Sequence, residues 1–260
     1  MKHVAITFDD GRSDNHSLAM RIMDRYQLQG TVYITTGFID GSWEHKDVLG
    51  SPTAPLSIDE IRQLHAHGWE IGLHGDKHRT EVSDMHTALT KLEAWGVENA
   101  AWGISVPNSN TTEEQISAIF DSEYGDKIAY VRRGRRCDTT RLKSKVLYAL
   151  YTLLGAKWAY RAFNAENAFS LAHADRASVP SVVIKSTDTP DMVVDFIKRL
   201  PDGSAVALML HSILPSAHPL CGRDPWSWED KKFEQLCSQL GTLVAEGELE
   251  VSPLIQLLKG

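Results

Sequence analysis

A chain of 260 residues, 42% hydrophobic and 23% charged with a net charge of −7, has the size and composition of one large globular enzyme domain with a substantial core. The acidic balance argues against a general nucleic-acid binder. Three scattered cysteines, Cys137, Cys221 and Cys237, contain no C-x-x-C pair, so neither a disulfide framework nor a zinc knuckle is expected and the thiols are read as reduced.

Residues 4–8 read as a β-strand, and residues 13–26 as a helix with Leu18, Ile22 and Met23 on one face. The opening apolar run is too short for a secretory signal and meets Asp9 and Asp10 at once, which predicts a chain that is not exported and is cytoplasmic. Residues 31–35 are strand-like. A helix over 57–67 opens with a capping box, Ser57 with Glu60, and 69–73 form the next strand. Residues 83–95 are helical and stopped by Gly96, with a strand at 101–106. A helix at 112–121, a strand at 128–132 and one long apolar helix at 141–161 follow. The remaining pattern is strand 179–185, helix 190–200, strand 204–210, helix 229–246, strand 249–251 and helix 253–258. Residues 146–156, the most apolar stretch, are too few to span a bilayer. Residues 38–56 and 212–228 lack periodicity and read as lid or rim loops. Strand–helix alternation of this length predicts an α/β fold with a parallel sheet, and a distorted (β/α) barrel spanning residues 1–260 as a single domain.

Three of the strands end in groups that bind metals or move protons. The first leads into Asp9 and Asp10, the third into His74 with His78 four residues on, and the 204–210 strand into His211. Asp-Asp-Gly alone is a common turn formula, and an H-x-x-x-H pair alone is often a solvated surface feature. Gathered at the carboxyl ends of barrel strands, they describe one metal-hydrolase mouth. A carboxylate with two imidazoles suits one divalent transition ion, Zn foremost, with Co, Ni or Fe as alternatives, and fits Mg or Ca poorly.

These residues resemble the motifs of the polysaccharide deacetylase (NodB-homology, carbohydrate esterase 4) family. Thr7-Phe8-Asp9-Asp10-Gly11 matches T-F-D-D-G. Glu70 to His78 is similar to E-I-G-x-H-[ST]-x-x-H, with Gly75 at the Ser/Thr position, and Leu208 to His211 to L-x-L-H. The resemblance implies the family's distorted barrel, with Asp9 as general base, Asp10, His74 and His78 as metal ligands and His211 as general acid. His211 would then start as imidazolium, sustained by an adjacent acid. The third motif, R-x-P-[YF], appears as Ser105-Val106-Pro107-Asn108, without its arginine. The Asn108 N–H is a candidate oxyanion donor. Tyr130-Val131-Arg132 resembles a Y-x-R segment of some members, so Arg132 or Arg133 is the expected replacement guanidinium.

Residues 132–161 hold nine basic side chains against one acidic, a net +8, so the remainder carries −15. A solvated face is one reading. The other is an anionic partner: a nucleotide diphosphate, a lipid pyrophosphate or an acidic membrane met peripherally through 132–161. With no stacking platform beside the arginines, nucleic acid is not expected. The sequence therefore predicts a deacetylase or deformylase acting on a nucleotide- or lipid-linked amino sugar, a precursor of a surface polysaccharide such as O-antigen or capsule. A binding protein that has lost the chemistry and a non-sugar amidohydrolase are the alternatives.

Overall fold

The structure, a computed structural model, describes residues 1–44, 54–109, 111–134 and 139–259. Its strands in chain order are β1 (Lys2–Phe8), β2 (Thr31–Ile34), β3 (Glu70–Leu73), β4 (Trp102–Ser105), β5 (Ile128–Arg132), β6 (Ala168–Ser170), β7 (Ser181–Val183), β8 (Ser204–Leu210), β9 (Ser212–Leu214), β10 (Ser227–Glu229) and β11 (Leu249–Val251). The helices are α1 (Arg21–Asp24), α2 (Thr36–Asp40), α3 (Ile58–Ala66), α4 (Val82–Ala94), α5 (Glu113–Phe120), α6 (Leu142–Leu154), α7 (Lys157–Asn164), α8 (Pro190–Lys198), α9 (Asp230–Ala245) and α10 (Leu254–Leu257).

The sheet runs β5-β4-β3-β2-β1-β8, parallel throughout, with β7 continuing it beside the second half of β8 and antiparallel β6 beside the first half. β1 divides its outer edge in the same way, pairing β11 at its start and β2 at its end. The sheet curls as an open half-barrel. At its ends Val179, just before β7, accepts from the Arg133 N–H and donates to the Val131 carbonyl. This is the distorted (β/α) barrel expected.

Strand alternation sorts side chains into two layers. Outward residues such as Phe8 meet the helices, with Phe8 stacked on Trp69 and edge-on to Phe233. The inward layer holds Ala5, Tyr33, Tyr130 and Ala207, floored by Leu254 and Leu257 of α10. Gly72 and Gly103 make room there: a Cβ on either would collide with the Tyr33 or Tyr130 ring. Glu70 is buried in the same layer, accepting from Thr31 (2.9 Å), Tyr130 (2.6 Å) and the Ile255 N–H that starts α10 (2.9 Å). Burial pushes its carboxyl above the ordinary value against these three donors.

Four expectations change. The helix over 141–161 is broken, because Gly155 turns left-handed (φ 64°) and closes α6 through bonds back to Leu150 and Tyr151. The helix over 13–26 begins as a π-helical turn, Asn15–Met20. The 212–228 stretch carries the β9–β10 pair, and 38–56 opens inside α2, while residues 45–53 lie outside the described residues. Arg135, Arg136 and Cys137 lie outside them too. Cys221 and Cys237 are free thiols. Among the described residues no helix is long and apolar enough to cross a membrane.

Candidate metal centre

Because β1, β3, β4, β5 and β8 are parallel, their carboxyl ends share one rim. Period-two alternation then points Asp9, His74, Ser105, Arg132 and His211 into the barrel mouth. Asp10 follows Asp9 with a left-handed backbone (φ 78°), which keeps a second carboxylate at the rim instead of sending it outward. Asp10, His78 and Asn108 are three of the four non-glycine residues of positive φ among the described residues. Such conformations are uncommon and collect where a site over-determines them.

The two Asp10 oxygens have separate partners. Oδ2 accepts from Arg12 Nε (3.1 Å) and Nη2 (2.9 Å), a buried guanidinium that also reaches Ser212 (3.3 Å). Oδ1 faces Nε2 of His74 at 3.5 Å and Nε2 of His78 at 3.6 Å. Those separations are long for hydrogen bonds. They match ligands about 2.1 Å from a shared ion at tetrahedral angles, which lie about 3.4 Å apart. Donor atoms of the three residues all fall within 4.8 Å of one another. His74 Nδ1 meets the Ser105 carbonyl at 2.8 Å, which places the proton there and leaves the Nε2 lone pair for a cation. The donor set fits a divalent metal ion.

His78 sits on a loop, not on the helical turn that H-x-x-x-H alone suggests. The Asp84 carboxylate in the first turn of α4 pins that loop, accepting from the N–H groups of Asp76 (2.9 Å), Lys77 (3.1 Å) and Arg79 (3.2 Å). Gly75 explains itself here. At φ 80°, a Cβ would meet the Asp84 carboxylate and the Arg79 carbonyl, so the motif's Ser or Thr has no room. Trp43 stacks on the His78 ring at 5.9 Å.

Arg132 supplies the guanidinium that position 105 lacks. Its Nη2 reaches both Asp9 oxygens (2.5 and 2.6 Å) and the hydroxyl of Ser105, while Nη1 reaches Ser181 (3.0 Å). The register decides this, because Ser105 and Arg132 are direct cross-strand neighbours on β4 and β5. Burial would raise the Asp9 carboxyl, yet Arg132, His74 and His211 together hold it below its ordinary value. Arg133 points elsewhere, to Glu113 and the Thr111 carbonyl. Asn108 is exposed on the turn after β4.

His211 lies beside Trp226 (5.0 Å), its backbone tied to the β1 loop by Asn15 Nδ2 on its carbonyl (2.9 Å). Its Nδ1 is buried without a hydrogen-bond partner, so no acid among the described residues bonds that nitrogen. Burial, with Arg12 and His74, pulls its pKa below the ordinary value against Asp10 and Asp9. Arg12, Ser181, Trp226 and Lys185, whose ammonium lies 5.3 Å from the Trp226 ring, escape sequence reasoning. None belongs to a spaced motif, and Arg12, immediately after Asp-Asp-Gly, is the one a local signal could have raised.

The polysaccharide deacetylase profile matches residues 1–123. That match, over just under half of the chain, assigns residues 1–123 to the polysaccharide deacetylase family. Among solved structures, a family 4 acetyl xylan esterase from Clostridium thermocellum, in complex with a cobalt ion, aligns at TM-score 0.51 and 14% identity over 99% of this chain and 90% of that one. Peptidoglycan deacetylase PdaC from Bacillus subtilis aligns at 0.50 and 12%, over 99% and 90%. The deacetylase PplD from Streptococcus pyogenes aligns at 0.41 and 18%, over 50% of this chain and about half, 55%, of that one. For the first two, at these identities, the likeness is one of fold. No curated protein sequence gives a significant match. The matched segment holds the Asp-His-His candidate metal site, and the guanidinium that reaches Asp9 comes from Arg132, beyond that segment on β5.

Proposed function

We propose that the chain is a single catalytic domain, a metal-dependent deacetylase or deformylase of an amino sugar. Its substrate is a cytoplasmic, nucleotide- or lipid-linked precursor of a surface polysaccharide such as O-antigen or capsule. One observation carries the reading: the Asp10–His74–His78 cluster stands beside an Asp9 carboxylate paired with Arg132. That pairing supports the catalytic reading over a relative that has lost the chemistry.

A divalent ion, Zn foremost, held by Asp10, His74 and His78 would polarise the amide carbonyl and acidify a water molecule. Asp9, fixed by Arg132 and Ser105, takes up the proton released from the attacking water. His211, after taking up a proton from solvent, passes it to the leaving nitrogen as the C–N bond breaks, and Asp9 later returns its own proton to solvent. The Asn108 N–H is assigned to the developing oxyanion. Lys185, over the Trp226 ring beside His211, adds a cation at the rim for the phosphates of an activated sugar.

The test is release of acetate and of formate by metal-replete protein from nucleotide-linked and lipid-linked amino sugars. Turnover of one class supports the proposal. Turnover confined to a non-sugar amide moves the chain to another amidohydrolase reaction. Stoichiometric metal without turnover of any amide would return it to the non-catalytic reading.

A further inference from the structure

Helix α6 has two apolar faces. Leu147 and Tyr151 face inward, where Tyr151 packs on Phe163 and Tyr160. On the other side, Leu142, Val146, Ala149 and Leu153 recur at i, i+4, i+7 and i+11, a single stripe along the helix. That stripe meets water: Leu142 is 77% exposed, Val146 48% and Leu153 79%. The Gly155 turn extends it with Leu154 (73%) and Trp158 (54%). Five of the seven exposed large apolar side chains among the described residues therefore lie in one hairpin. That is a patch and not scatter.

Charge indicates what covers it. Residues 139–165 contain no acidic side chain, in a protein of net charge −7. Arg161 bonds to Asp195, and Lys157 lies 3.7 Å from Asp191. Lys143 and Lys145 flank the stripe on its two sides and make no ion pair among the described residues. An apolar stripe edged by lysines matches a surface that is anionic outside and apolar beneath. A second copy of the chain is a poor match, since symmetric pairing of the stripes would bring like-charged lysines together.

The helix that carries the patch is linked to the mouth through Tyr148, a residue outside the stripe. Tyr148 of α6 lies 5.9 Å from the Lys185 ammonium, Lys185 lies 5.3 Å from the Trp226 ring, and Trp226 lies 5.0 Å from His211. We propose that the α6–α7 hairpin is a docking face for an anionic lipid bilayer, lying in its headgroup layer with Leu142, Val146, Leu153, Leu154 and Trp158 toward the acyl chains. Docking in this way brings the mouth to the headgroups. In the part that rests on the hydrolase reading, it favours the lipid-linked substrate over the nucleotide-linked one.

The experiment is co-sedimentation of the full chain with phosphatidylcholine vesicles, alone or doped with phosphatidylglycerol, with no substrate present. A failure of docking therefore leaves the hydrolase reading untouched. Binding is expected to the doped vesicles, at least about tenfold tighter than to phosphatidylcholine alone, and to weaken as salt rises from about 0.05 to 0.5 M. Leu153→Glu with Leu154→Glu should cut it at least about tenfold, as should Lys143→Glu with Lys145→Glu. Exposed positions tolerate such changes, and Leu142→Glu provides a second apolar variant if the first pair fails to fold. Equal binding to both vesicle types, no binding, or unchanged binding by the folded variants would each overturn the proposal. So would a concentration-dependent dimer that the same substitutions dissolve in place of vesicle binding.

Discussion

Arg132→Met tests whether the guanidinium on β5 takes over from the one missing at position 105. Asp9 is 3% exposed and Arg132 1%, so the pair has almost no water to fall back on. Arg132 contributes two contacts to Asp9, at 2.5 and 2.6 Å. The only other side-chain donor to Asp9 among the described bonds is Ser105 at 3.3 Å. Breaking a buried ion pair from one side costs about 3–5 kcal/mol because the stranded charge remains. That is a large share of a total stability of about 5–15 kcal/mol. Arg132→Lys keeps the charge, but one ammonium cannot serve Asp9, Ser105 and Ser181 together, so the loss there should be about 1–2 kcal/mol. The decisive variant exchanges the neighbours, Ser105→Arg with Arg132→Ser, restoring the family's arginine across one strand. Urea unfolding should show at least half of the Arg132→Ser loss recovered, and amide hydrolysis should recover at least about tenfold over Arg132→Ser. An Arg132→Met protein within about 0.5 kcal/mol of wild type, or an exchange no better than Arg132→Ser, would refute the reasoning.

Purified protein should carry about one divalent transition ion per chain, and His74→Ala with His78→Ala should lose it; elemental analysis decides, and retained stoichiometric metal would reject the site. Asp9→Asn should keep the metal and lose most turnover, whereas His211→Ala should keep it and slow turnover roughly 100-fold or more. Either variant working at the wild-type rate would place that role elsewhere. Glu70 gives a pH test away from the metal. Its folded-state pKa is raised above the ordinary 4.5, so the folded protein takes up a proton first as pH falls. Relative to Glu70→Gln, wild type should therefore gain stability as pH drops from that raised value to 4.5 and lose the gain on the way back up. Parallel urea midpoints for the two proteins across that window would show that Glu70 does not titrate in the fold.

Much of the candidate site was legible in the sequence because it is built from short, contiguous pieces. A β-strand that ends in Asp9-Asp10, another in His74 and a third in His211 put their polar groups on one rim as soon as the strands are parallel. Alternation along each strand sends those groups inward without reference to anything distant. The capping box at Ser57 and Glu60 was equally local and forms as read. By contrast, the segment around Arg132 and Arg133 left both open as the partner of Asp9. The β4–β5 register sets one beside Ser105 and Asp9 and turns the other to Glu113.

The sequence by itself determined the alternation of strands and helices, the likeness to the deacetylase motifs, and the residues able to hold a metal, since each rests on periodicity or on neighbours in the chain. The tertiary structure alone decided that Arg12 divides the two Asp10 oxygens, that Glu70 anchors α10, and that Lys185 and Trp226 border His211. It also decided which face of the 141–161 segment meets water. The 3.6-residue period marks both apolar faces of α6 alike, and only the packing of Leu147 and Tyr151 against α7 leaves the other face outside. Contacts between residues far apart in the chain depend on register and packing, which no local pattern of residue types encodes.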